Sequence, residues 1–226
     1  MHIALKVGAD PSVAYEQSRS QTRGRSRRIT MKNARPLPKV RDDFACFASP
    51  SPTLLRFIDE ITSGPLGPVL DAGCGYGRNS VALAIRGMDV IGADRDVDRL
   101  QILQHRGSQY IAAQKRAGMQ SGRVQTICAD LTPDRWPIID SCLSAIVCVH
   151  FPRLAHFDQF RRSLVSGGYL YVETFGGHGG NYLDLPLPGQ YRESLSSHFL
   201  LLYYVEKPTG PLNKKAVTVR LFARKF

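Results

Sequence analysis

Three aspartates and a run of closely spaced glycines form the most specific chemical pattern in the sequence. The glycine run is Asp71-Ala72-Gly73-Cys74-Gly75-Tyr76-Gly77, and it lies between an apolar segment and an amphipathic one. Such glycines allow a sharp turn and let a bound molecule approach the backbone closely. Asp94 follows 23 residues after Asp71, and Asp130 follows a further apolar run. A carboxylate at the position of Asp94 can accept both hydrogen bonds of a ribose diol.

The spacing of the glycines distinguishes this loop from the dinucleotide-binding fingerprint. It reads G-x-G-x-G instead of G-x-G-x-x-G, and an acidic residue, Asp71, opens it. A pyrophosphate would be repelled by that carboxylate, whereas the ammonium group of an amino-acid moiety would be attracted to it. These two differences weaken the case for a nicotinamide-dependent dehydrogenase. They favour a ligand that joins a ribose to an amino acid.

Alternating apolar runs predict the elements that position these residues. Short buried strands are expected at residues 69–70, 90–93, 124–128, 143–149 and 168–173. Helices are expected over 54–61, from Val81 to Ile85, from about Val97 with Asp96 as its N-cap, and over 154–164. Two last runs, at 200–205 and 217–222, are too closely joined for a helical crossover and predict an antiparallel hairpin.

The order of these elements predicts an α/β fold. It is a Rossmann-like, mostly parallel, seven-stranded sheet with helices on both faces and a C-terminal antiparallel hairpin. Asp71, Asp94 and Asp130 then fall at the carboxyl ends of successive strands, which is the edge where open α/β sheets bind their ligands. A single aspartate there could simply cap the next element. Three in register with a glycine loop favour a binding site.

The N-terminal part of the chain differs in composition from the rest. The net charge is +11, and residues 1–45 hold ten Lys and Arg against four Asp and Glu. These residues lack apolar periodicity, so we expect a basic, disordered extension at 1–45 and a single domain at 46–226. The extension is interpreted as a nucleic-acid-binding arm, an organelle transit peptide or a functionless addition, and Met31 is an alternative start.

Cysteine content and hydropathy bound the cellular setting. The five cysteines form no C-x-x-C pair, which predicts neither a disulfide framework nor a zinc site and suits the reducing cytoplasm. No apolar run approaches the roughly 18 residues of a membrane span, so no membrane association is expected. The apolar stretch from His2 to Val7 is too short for a signal peptide.

From residue 53 onwards the sequence resembles the class I S-adenosylmethionine-dependent methyltransferases. The segment 69–79 is similar to the first motif of that family, and Asp94 and Asp130 match its ribose-binding and adenine-contacting acids. The nearest group is that of the tellurite-resistance-like and other small-molecule methyltransferases. The resemblance implies S-adenosyl-L-methionine as cofactor and S-adenosyl-L-homocysteine as product. The cofactor contacts it implies are Asp71, Gly73, Cys74, Gly75, Gly77, Asn79, Asp94, Arg95, Asp130 and Leu131.

The sequence departs from that group at two places. The group carries an aspartate-aromatic pair before the fourth strand, where this chain has Asp140-Ser141. It also carries a proline-glycine-glutamate-leucine turn, where this chain has Pro188-Gly189-Gln190-Tyr191 and so lacks the carboxylate. Trp136 either lines the adenine pocket or packs beneath the loop. These departures argue against carrying over any particular acceptor.

Candidate catalytic residues follow the fourth and fifth strands. His150 comes directly after the fourth strand and suits a general base near neutral pH, or a histidine bonded to a loop carbonyl. Glu173 ends the fifth strand and either binds a cationic acceptor or pairs with a basic residue. The glycine-rich segment that follows is predicted to form a lid over the acceptor, with His178 as a catalytic residue and Asn181 and Tyr182 as substrate contacts.

Methyl transfer from a sulfonium is an in-line displacement, for which the cofactor supplies the reactive group. The first hypothesis is therefore methyl transfer to a small-molecule acceptor such as a thiol, a metalloid oxyanion or another metabolite. The second is an RNA methyltransferase that uses its basic arm to hold phosphates. The third is a non-catalytic S-adenosylmethionine-binding protein.

Overall fold

The computed structural model describes residues 49–150, 154–176, 185–210 and 215–226. Six α-helices lie in these ranges: α1 (Pro52–Leu55), α2 (Ile58–Thr62), α3 (Arg78–Ala84), α4 (Val97–Arg116), α5 (Phe157–Ser163) and α6 (Gln190–Leu195). The strands are β1 (Val69–Ala72), β2 (Val90–Asp94), β3 (Val124–Cys128), β4 (Leu143–Val149), β5 (Leu164–Glu173), β6 (Phe199–Pro208) and β7 (Val217–Lys225). The predicted basic extension at 1–45 lies outside the described residues.

The strands form one seven-stranded sheet in the order β3-β2-β1-β4-β5-β7-β6. Strands β1 to β5 run parallel, and β7 pairs antiparallel with both β5 and β6. The predicted α/β fold and the antiparallel C-terminal hairpin are confirmed. Strand order reverses between β1 and β4, so the chain has a topological switch point at their carboxyl ends.

The core fills both faces of the sheet, because parallel strands are buried on each side. Adjacent residues of β1 face opposite layers: Val69 packs in the layer of α2, α3 and α4, and Leu70 packs in that of α5 and α6. All four residues of β1 and all seven of β4 are buried. The polar side chains are left at the carboxyl edge. No helix in the described ranges is long and apolar enough to cross a membrane.

The first predicted helix is interrupted. It breaks into α1 and α2 at Arg56 and Phe57, and Leu55, at the end of α1, is exposed. The ring of Phe57 stacks on Phe222 of β7 with centroids 4.5 Å apart. This aromatic contact draws the backbone out of helical geometry, at a position where the local apolar spacing alone favours one continuous helix.

The helix predicted over 154–164 is also shorter than expected. A 3₁₀ turn at Leu154–His156 leads into α5, and Leu164 already belongs to β5. His156, in this 3₁₀ turn, is buried, and its Nε2 lies 2.9 Å from the carbonyl oxygen of Leu131. The prediction was wrong because an apolar run shared by a helix and a strand carries no local sign of where one ends.

Candidate active site

The candidate site lies at the carboxyl ends of the parallel strands, around the switch point. Ala72 of β1 is in register with Ala93 of β2 and with Cys148 of β4. Asp94 ends β2 opposite Cys128 of β3, so Asp130 comes two residues past that pair. The glycine loop, Asp94, Asp130 and His150 therefore follow neighbouring strands at one edge of the sheet, as the sequence predicts.

The glycine loop is a tight turn fixed by backbone hydrogen bonds. Gly73, Gly75 and Gly77 have φ values of 70°, 54° and 82°, which lie in the left-handed region that favours glycine. The amides of Gly73 and Cys74 both donate to the carbonyl oxygen of Ala93, at 2.8 and 3.0 Å. The loop thus crosses the end of β2 and leads into α3 at Gly77.

Two of these glycines face different surroundings. A β-carbon added at Gly77 would lie 2.1 Å from Cδ1 of Leu103, inside the core. A β-carbon added at Gly75 would have no atom within 4 Å. The loop backbone at Gly75 therefore borders open space, as it must if a ligand is to lie against it.

We expect Gly77→Ala and Gly75→Ala to have opposite consequences. Gly77→Ala combines a clash with Leu103 and a left-handed backbone, so we expect it to lower the free energy of unfolding by about 3 kcal/mol. Gly75→Ala adds backbone strain alone, about 1 kcal/mol, but places a methyl group in the ligand space. Urea unfolding and cofactor titration would separate the two. A folded Gly75→Ala protein with unchanged cofactor affinity would contradict this assignment.

Asp94 closes the loop and still has acceptor capacity. Its Oδ2 accepts the amide hydrogen of Gly75 at 2.8 Å, and its Oδ1 accepts that of Asp96 at 3.0 Å. A carboxylate has about four lone-pair directions, so two remain for a ribose diol. The side chain is half-buried, which keeps it accessible from the cleft. Its position fits the predicted ribose-binding role, which stays a prediction.

Asp71 does not reach the ligand space with its side chain. It is 1% exposed, and its Oδ2 accepts the Ser80 hydroxyl at 2.6 Å. Burial raises the pKa of Asp71 to about 6, and the hydrogen bond from Ser80 offsets part of that rise. The direct contact with an ammonium group that the sequence suggests is therefore not supported. Any attraction from Asp71 acts through space, from beneath the loop.

Replacing Asp71 by asparagine is expected to stabilise the free protein above pH 6. The pKa of Asp71 is about 6 in the folded state against an ordinary 3.8, so the folded state binds more protons in this window. The free energy of unfolding then falls as pH rises from 3.8 to 6, by about 3 kcal/mol in full. A neutral amide would carry no such cost, and we expect Asp71→Asn to gain about 1 to 2 kcal/mol at pH 8. Urea unfolding at pH 5 and pH 8, with Asp98→Asn as an exposed control, tests this; a loss of stability at pH 8 would contradict it.

The side chains of three other residues that were predicted to contact the cofactor are buried in the protein. Cys74 is 8% exposed and packs with Val81 and Leu103, and burial raises the pKa of its thiol. Asn79 is buried, and its Oδ1 accepts the amide hydrogen of Ser51 at 3.0 Å. Leu131 is part of the main core. The side chains of Cys74, Asn79 and Leu131 thus pack within the protein, and cofactor contacts through their backbones stay predictions.

Arg95 and Asp130 keep the exposure that a binding role requires. Both are exposed at the ends of β2 and β3. Trp136, in contrast, is 7% exposed, donates from Nε1 to the Ser163 hydroxyl at 2.8 Å and contacts Phe160 edge-on. Of the two interpretations of Trp136, packing beneath the loop is the one that the structure supports. Its ring is held by α5 and does not line the cleft.

His150 occupies a special position at the end of β4. Its backbone has a φ of 65°, and its amide donates to the carbonyl oxygen of Glu173 at 2.7 Å. Its ring is exposed and lies 4.6 Å from the ring of Phe175. Partial burial lowers the pKa of His150, the positive charges of Arg78 and Arg220 lower it further, and Glu173 opposes them. A neutral imidazole at the switch point can accept a proton at neutral pH.

Glu173 is committed to a buried hydrogen-bond network. Its carboxylate accepts the Ser51 hydroxyl at 2.5 Å, the Tyr171 hydroxyl at 3.0 Å and Nε of Arg220 at 2.8 Å. Burial alone raises the pKa of Glu173, but these hydrogen bonds and the charge of Arg220 outweigh it, so the pKa is lowered. Of the two expectations for Glu173, pairing with a basic residue is the one observed. An ionised carboxylate with three partners is a poor general base, which argues against its predicted catalytic role.

Several residues around this edge had no signal in the sequence. Arg220 reaches Glu173 because β5 and β7 pair these two residues directly, and Ser51 reaches it because the chain enters the domain across the same edge. Such partners come from the register of distant segments. His178, Asn181 and Tyr182 lie outside the described residues, so the predicted lid and its contacts stay predictions.

The missing carboxylate of the 188–191 turn is replaced from another strand. The amide of Gly189, at the N-terminus of α6, donates to Oε1 of Glu206 at 2.8 Å. The Tyr204 hydroxyl also donates to Glu206. A carboxylate of β6 thereby satisfies a free amide at the start of the helix. The departure from the expected motif is structural compensation and not a change at the cleft.

The residues present fit the predicted cofactor. The glycine loop offers backbone beside open space, and Asp94 offers free acceptor sites next to it. Exposed Asp130 lies on the adjacent strand end. Within the described residues no group of three or more His, Cys, Asp and Glu side chains is placed to hold a metal ion. The free cysteines there are Cys74, Cys128, Cys142 and Cys148.

Comparison with known proteins gives the site its context. Residues 69–168 match the family model of a methyltransferase domain, and no curated protein sequence matches the chain. An S-adenosylmethionine-dependent methyltransferase from Methanosarcina mazei is 19% identical, with a TM-score of 0.52, over 74% of this chain and 97% of that chain. TehB from Haemophilus influenzae is 19% identical, with a TM-score of 0.52, over 76% and 62%. Geranyl diphosphate C-methyltransferase from Streptomyces coelicolor A3(2) is 14% identical, with a TM-score of 0.56, over 77% and 80%.

Identities this low show a shared fold, while the family match covers the elements that form the cofactor loop. It includes β1, the glycine loop, Asp94, Asp130 and His150. The fold, the fit of the cleft and the family match agree with one another. The chain therefore has the fold of the class I S-adenosylmethionine-dependent methyltransferases, and its residues 69–168 match a methyltransferase domain.

Proposed function

We propose that this enzyme transfers the methyl group of S-adenosylmethionine to a small-molecule acceptor, with His150 as the general base. The observation that carries the proposal is the position of His150, which directly follows β4 at the switch point. Its ring contacts the ring of Phe175, and Phe175 also lines a small cavity beyond β5. That cavity has a volume of about 190 Å³, which suits part of a small molecule. An acceptor that occupied the cleft and this cavity would lie beside the proposed base.

The chain's residues have limited tasks in the reaction. The cofactor supplies an electrophilic methyl group on a positively charged sulfur. Asp94 would hold the ribose, Gly75 would border the cofactor, and the cleft would align the acceptor for in-line attack. As the new bond to the methyl carbon forms and its bond to sulfur breaks, an amine or hydroxyl acceptor loses a proton to the neutral ring of His150. A thiolate acceptor would need no such base.

The structural relatives are compatible with a small-molecule acceptor. Geranyl diphosphate is named for the Streptomyces enzyme and magnesium protoporphyrin IX for a methyltransferase from Synechocystis PCC 6803. At 14% and 18% identity these names describe those proteins and do not select an acceptor here. The elements beside the cavity, β6 and β7, lie beyond the matched residues 69–168. The family match therefore carries no information about the acceptor side.

The basic extension supports the alternative of an RNA methyltransferase, because ten Lys and Arg lie within residues 1–45. We keep 1–45 and 46–226 as the proposed division into extension and domain, and the cytoplasm as the proposed location. A non-catalytic S-adenosylmethionine-binding protein is the remaining alternative. Each of the three predicts a different fate for the methyl group.

The test incubates the full chain with methyl-labelled S-adenosylmethionine and a cell extract, then counts label in small-molecule, protein and RNA fractions. Label in the small-molecule fraction is the expected result. Label in RNA, lost when residues 1–30 are deleted, would replace the proposal by the RNA alternative. Cofactor binding without label in any fraction would favour the non-catalytic alternative. Boiled protein and Gly75→Ala serve as controls for enzyme-dependent transfer.

A further inference from the structure

The cavity beyond β5 is lined by the ends of paired strands. Its walls come from the ends of three paired strands and from the residues that follow β5: Glu173, Thr174, Phe175, Gly176, Val205, Lys207, Thr218 and Arg220. Strand register explains the grouping, because Arg220 pairs with both Glu173 and Val205, and Thr218 pairs with Lys207. The cavity therefore sits on two alternate cross-strand rows of one face, with the Val219–Glu206 pair between them.

The polar groups of this cavity are mainly donors. The Glu173 carboxylate is occupied by Ser51, Tyr171 and Arg220. Thr174 and Thr218 donate their hydroxyls to the carbonyl oxygens of Val219 and Lys207, at 3.4 and 3.3 Å. The charge of Glu173 is therefore already neutralised within the wall. What the wall still offers a ligand comes from its cations.

Two cations line the cavity, and both have donors that no described residue uses. Arg220 uses Nε for Glu173, and its side chain is 46% exposed, so the two terminal nitrogens of the guanidinium are available to a second partner. Lys207 is exposed, and no carboxylate in the described ranges lies within salt-bridge distance of it. The opposite charges of Glu173 and Arg220 cancel, so the residues that line the cavity carry one net positive charge, that of Lys207.

An aromatic ring connects the cavity to the proposed base. Phe175 is 48% exposed, lines the cavity and lies 4.6 Å from the ring of His150. Arg220 is also near enough to His150 for its charge to lower the pKa of that histidine. A molecule lying across Phe175 would thus have one end at Lys207 and Arg220 and the other beside His150.

We propose that this cavity binds an anionic group of the methyl acceptor, such as a carboxylate, through Lys207 and Arg220, while the apolar body of the acceptor packs on Phe175. This subsite rests on the proposed function for its role in catalysis, but it predicts anion binding without turnover. The anion is held apart from the methylated atom and keeps its charge in the product. The acceptor is thereby specified as a small organic anion.

The direct test measures binding of benzoate to the full chain saturated with S-adenosylhomocysteine, with neutral benzamide as the matched ligand. Ligand-observed NMR titration is suitable for weak binding. We expect benzoate to bind and benzamide to bind at least about tenfold more weakly, since only the first can form charge-assisted hydrogen bonds. Equal binding of the two ligands, or no binding of benzoate, would overturn the subsite.

Variants locate the binding. Lys207→Gln removes a charge with no described side-chain partner, so its fold should be retained, and we expect about tenfold weaker benzoate binding. Arg220→Lys keeps a charge beside Glu173 but loses the planar fork, and should weaken benzoate binding less. Lys115→Gln, at the far end of α4, is the control and should change nothing. Benzoate affinity unchanged in Lys207→Gln would refute the assignment.

A second measurement separates this inference from the proposed function. The labelled small-molecule product from the extract should be retained on an anion-exchange resin at neutral pH. A neutral or cationic labelled product would leave small-molecule methylation intact and would overturn the anionic subsite. If no small molecule is labelled, the proposed function fails, whereas selective binding of benzoate that depends on Lys207 would still support the cavity as an anion site.

Discussion

Replacing His150 by asparagine is expected to lower kcat for methyl transfer by at least about 100-fold, the usual contribution of a positioned general base. Asparagine is the informative replacement, because His150 has a φ of 65° and asparagine tolerates left-handed backbone better than most residues. The loop after β4 should therefore keep its geometry. What is lost is the ring nitrogen that accepts the proton.

The pH profile gives a readout that a structural role would not reproduce. Only the neutral ring accepts a proton, so kcat should rise with pH through the pKa of His150 and then level off. Because partial burial, Arg78 and Arg220 lower the pKa of His150, the rise should be complete at a lower pH than it would be for an unperturbed histidine. In His150→Asn the rising limb should disappear.

The measurement is label transfer into the small-molecule fraction of a fixed extract, at several pH values, with cofactor affinity determined in parallel. His105→Asn is the matched control, since His105 is an exposed histidine on α4 away from the cleft. Unchanged transfer in His150→Asn would exclude it as the base. That result would also point to a thiolate acceptor, which reacts without proton removal.

The strands could be predicted closely from sequence because burial on both faces leaves a local mark. Residues 143–149 form an apolar run interrupted only by Ser144, and they coincide with the fully buried strand β4. The antiparallel hairpin followed from the short connection between the last two runs. Helix ends were harder to predict. Phe57 lies outside α1 and α2 and stacks on Phe222, a residue far away in the chain. A local stretch of sequence does not contain both residues, so it cannot show this contact.

The positions of functional residues could be predicted, but the directions of their side chains could not. The glycines of the loop have φ values from 54° to 82°, and the sequence does not show in which direction such a turn points the side chains between them. Asp71 on β1, Cys74 in the glycine loop and Asn79 on α3 all have buried side chains, although the motif places all of them beside the ligand. Asp94 keeps its predicted position because it ends a strand, where backbone direction is fixed by the sheet.

Partners across the sheet were missed for the same physical reason. The pairing of Glu173 with Arg220 depends on the register between β5 and β7, which is set by side chains along the full length of both strands. Lys207 reaches the same cavity through the register between β6 and β7. The acceptor side of the site is built from such pairings, whereas the cofactor side is built largely from one contiguous motif and two strand ends. Sequence reasoning accordingly located the cofactor side better.

Replacing Asp94 by alanine is expected to weaken S-adenosylmethionine binding by at least about 100-fold. Two hydrogen bonds from a ribose diol to a carboxylate would be lost, each worth about 1.5 to 3 kcal/mol with a charged acceptor. The change also removes the acceptor for the Gly75 amide, which lies 2.8 Å from Oδ2 of Asp94, so the glycine loop loses an anchor to β2. Both consequences act on the cofactor and neither on the acceptor cavity.

Isothermal titration with S-adenosylmethionine and S-adenosylhomocysteine measures the loss of affinity. Asp94→Asn separates the lost ribose hydrogen bonds from the lost anchor of the glycine loop. Asparagine retains one oxygen acceptor, so it should hold part of the loop and recover part of the affinity. Asp98→Ala, in the first turn of α4, removes a nearby exposed carboxylate and should leave affinity within about twofold, because a helix-terminal charge contributes little. If Asp94→Ala binds both ligands as the wild type does, then Asp94 only caps the turn after β2. The ribose must in that case lie against another acid, and exposed Asp130 at the end of β3 becomes the residue to replace next.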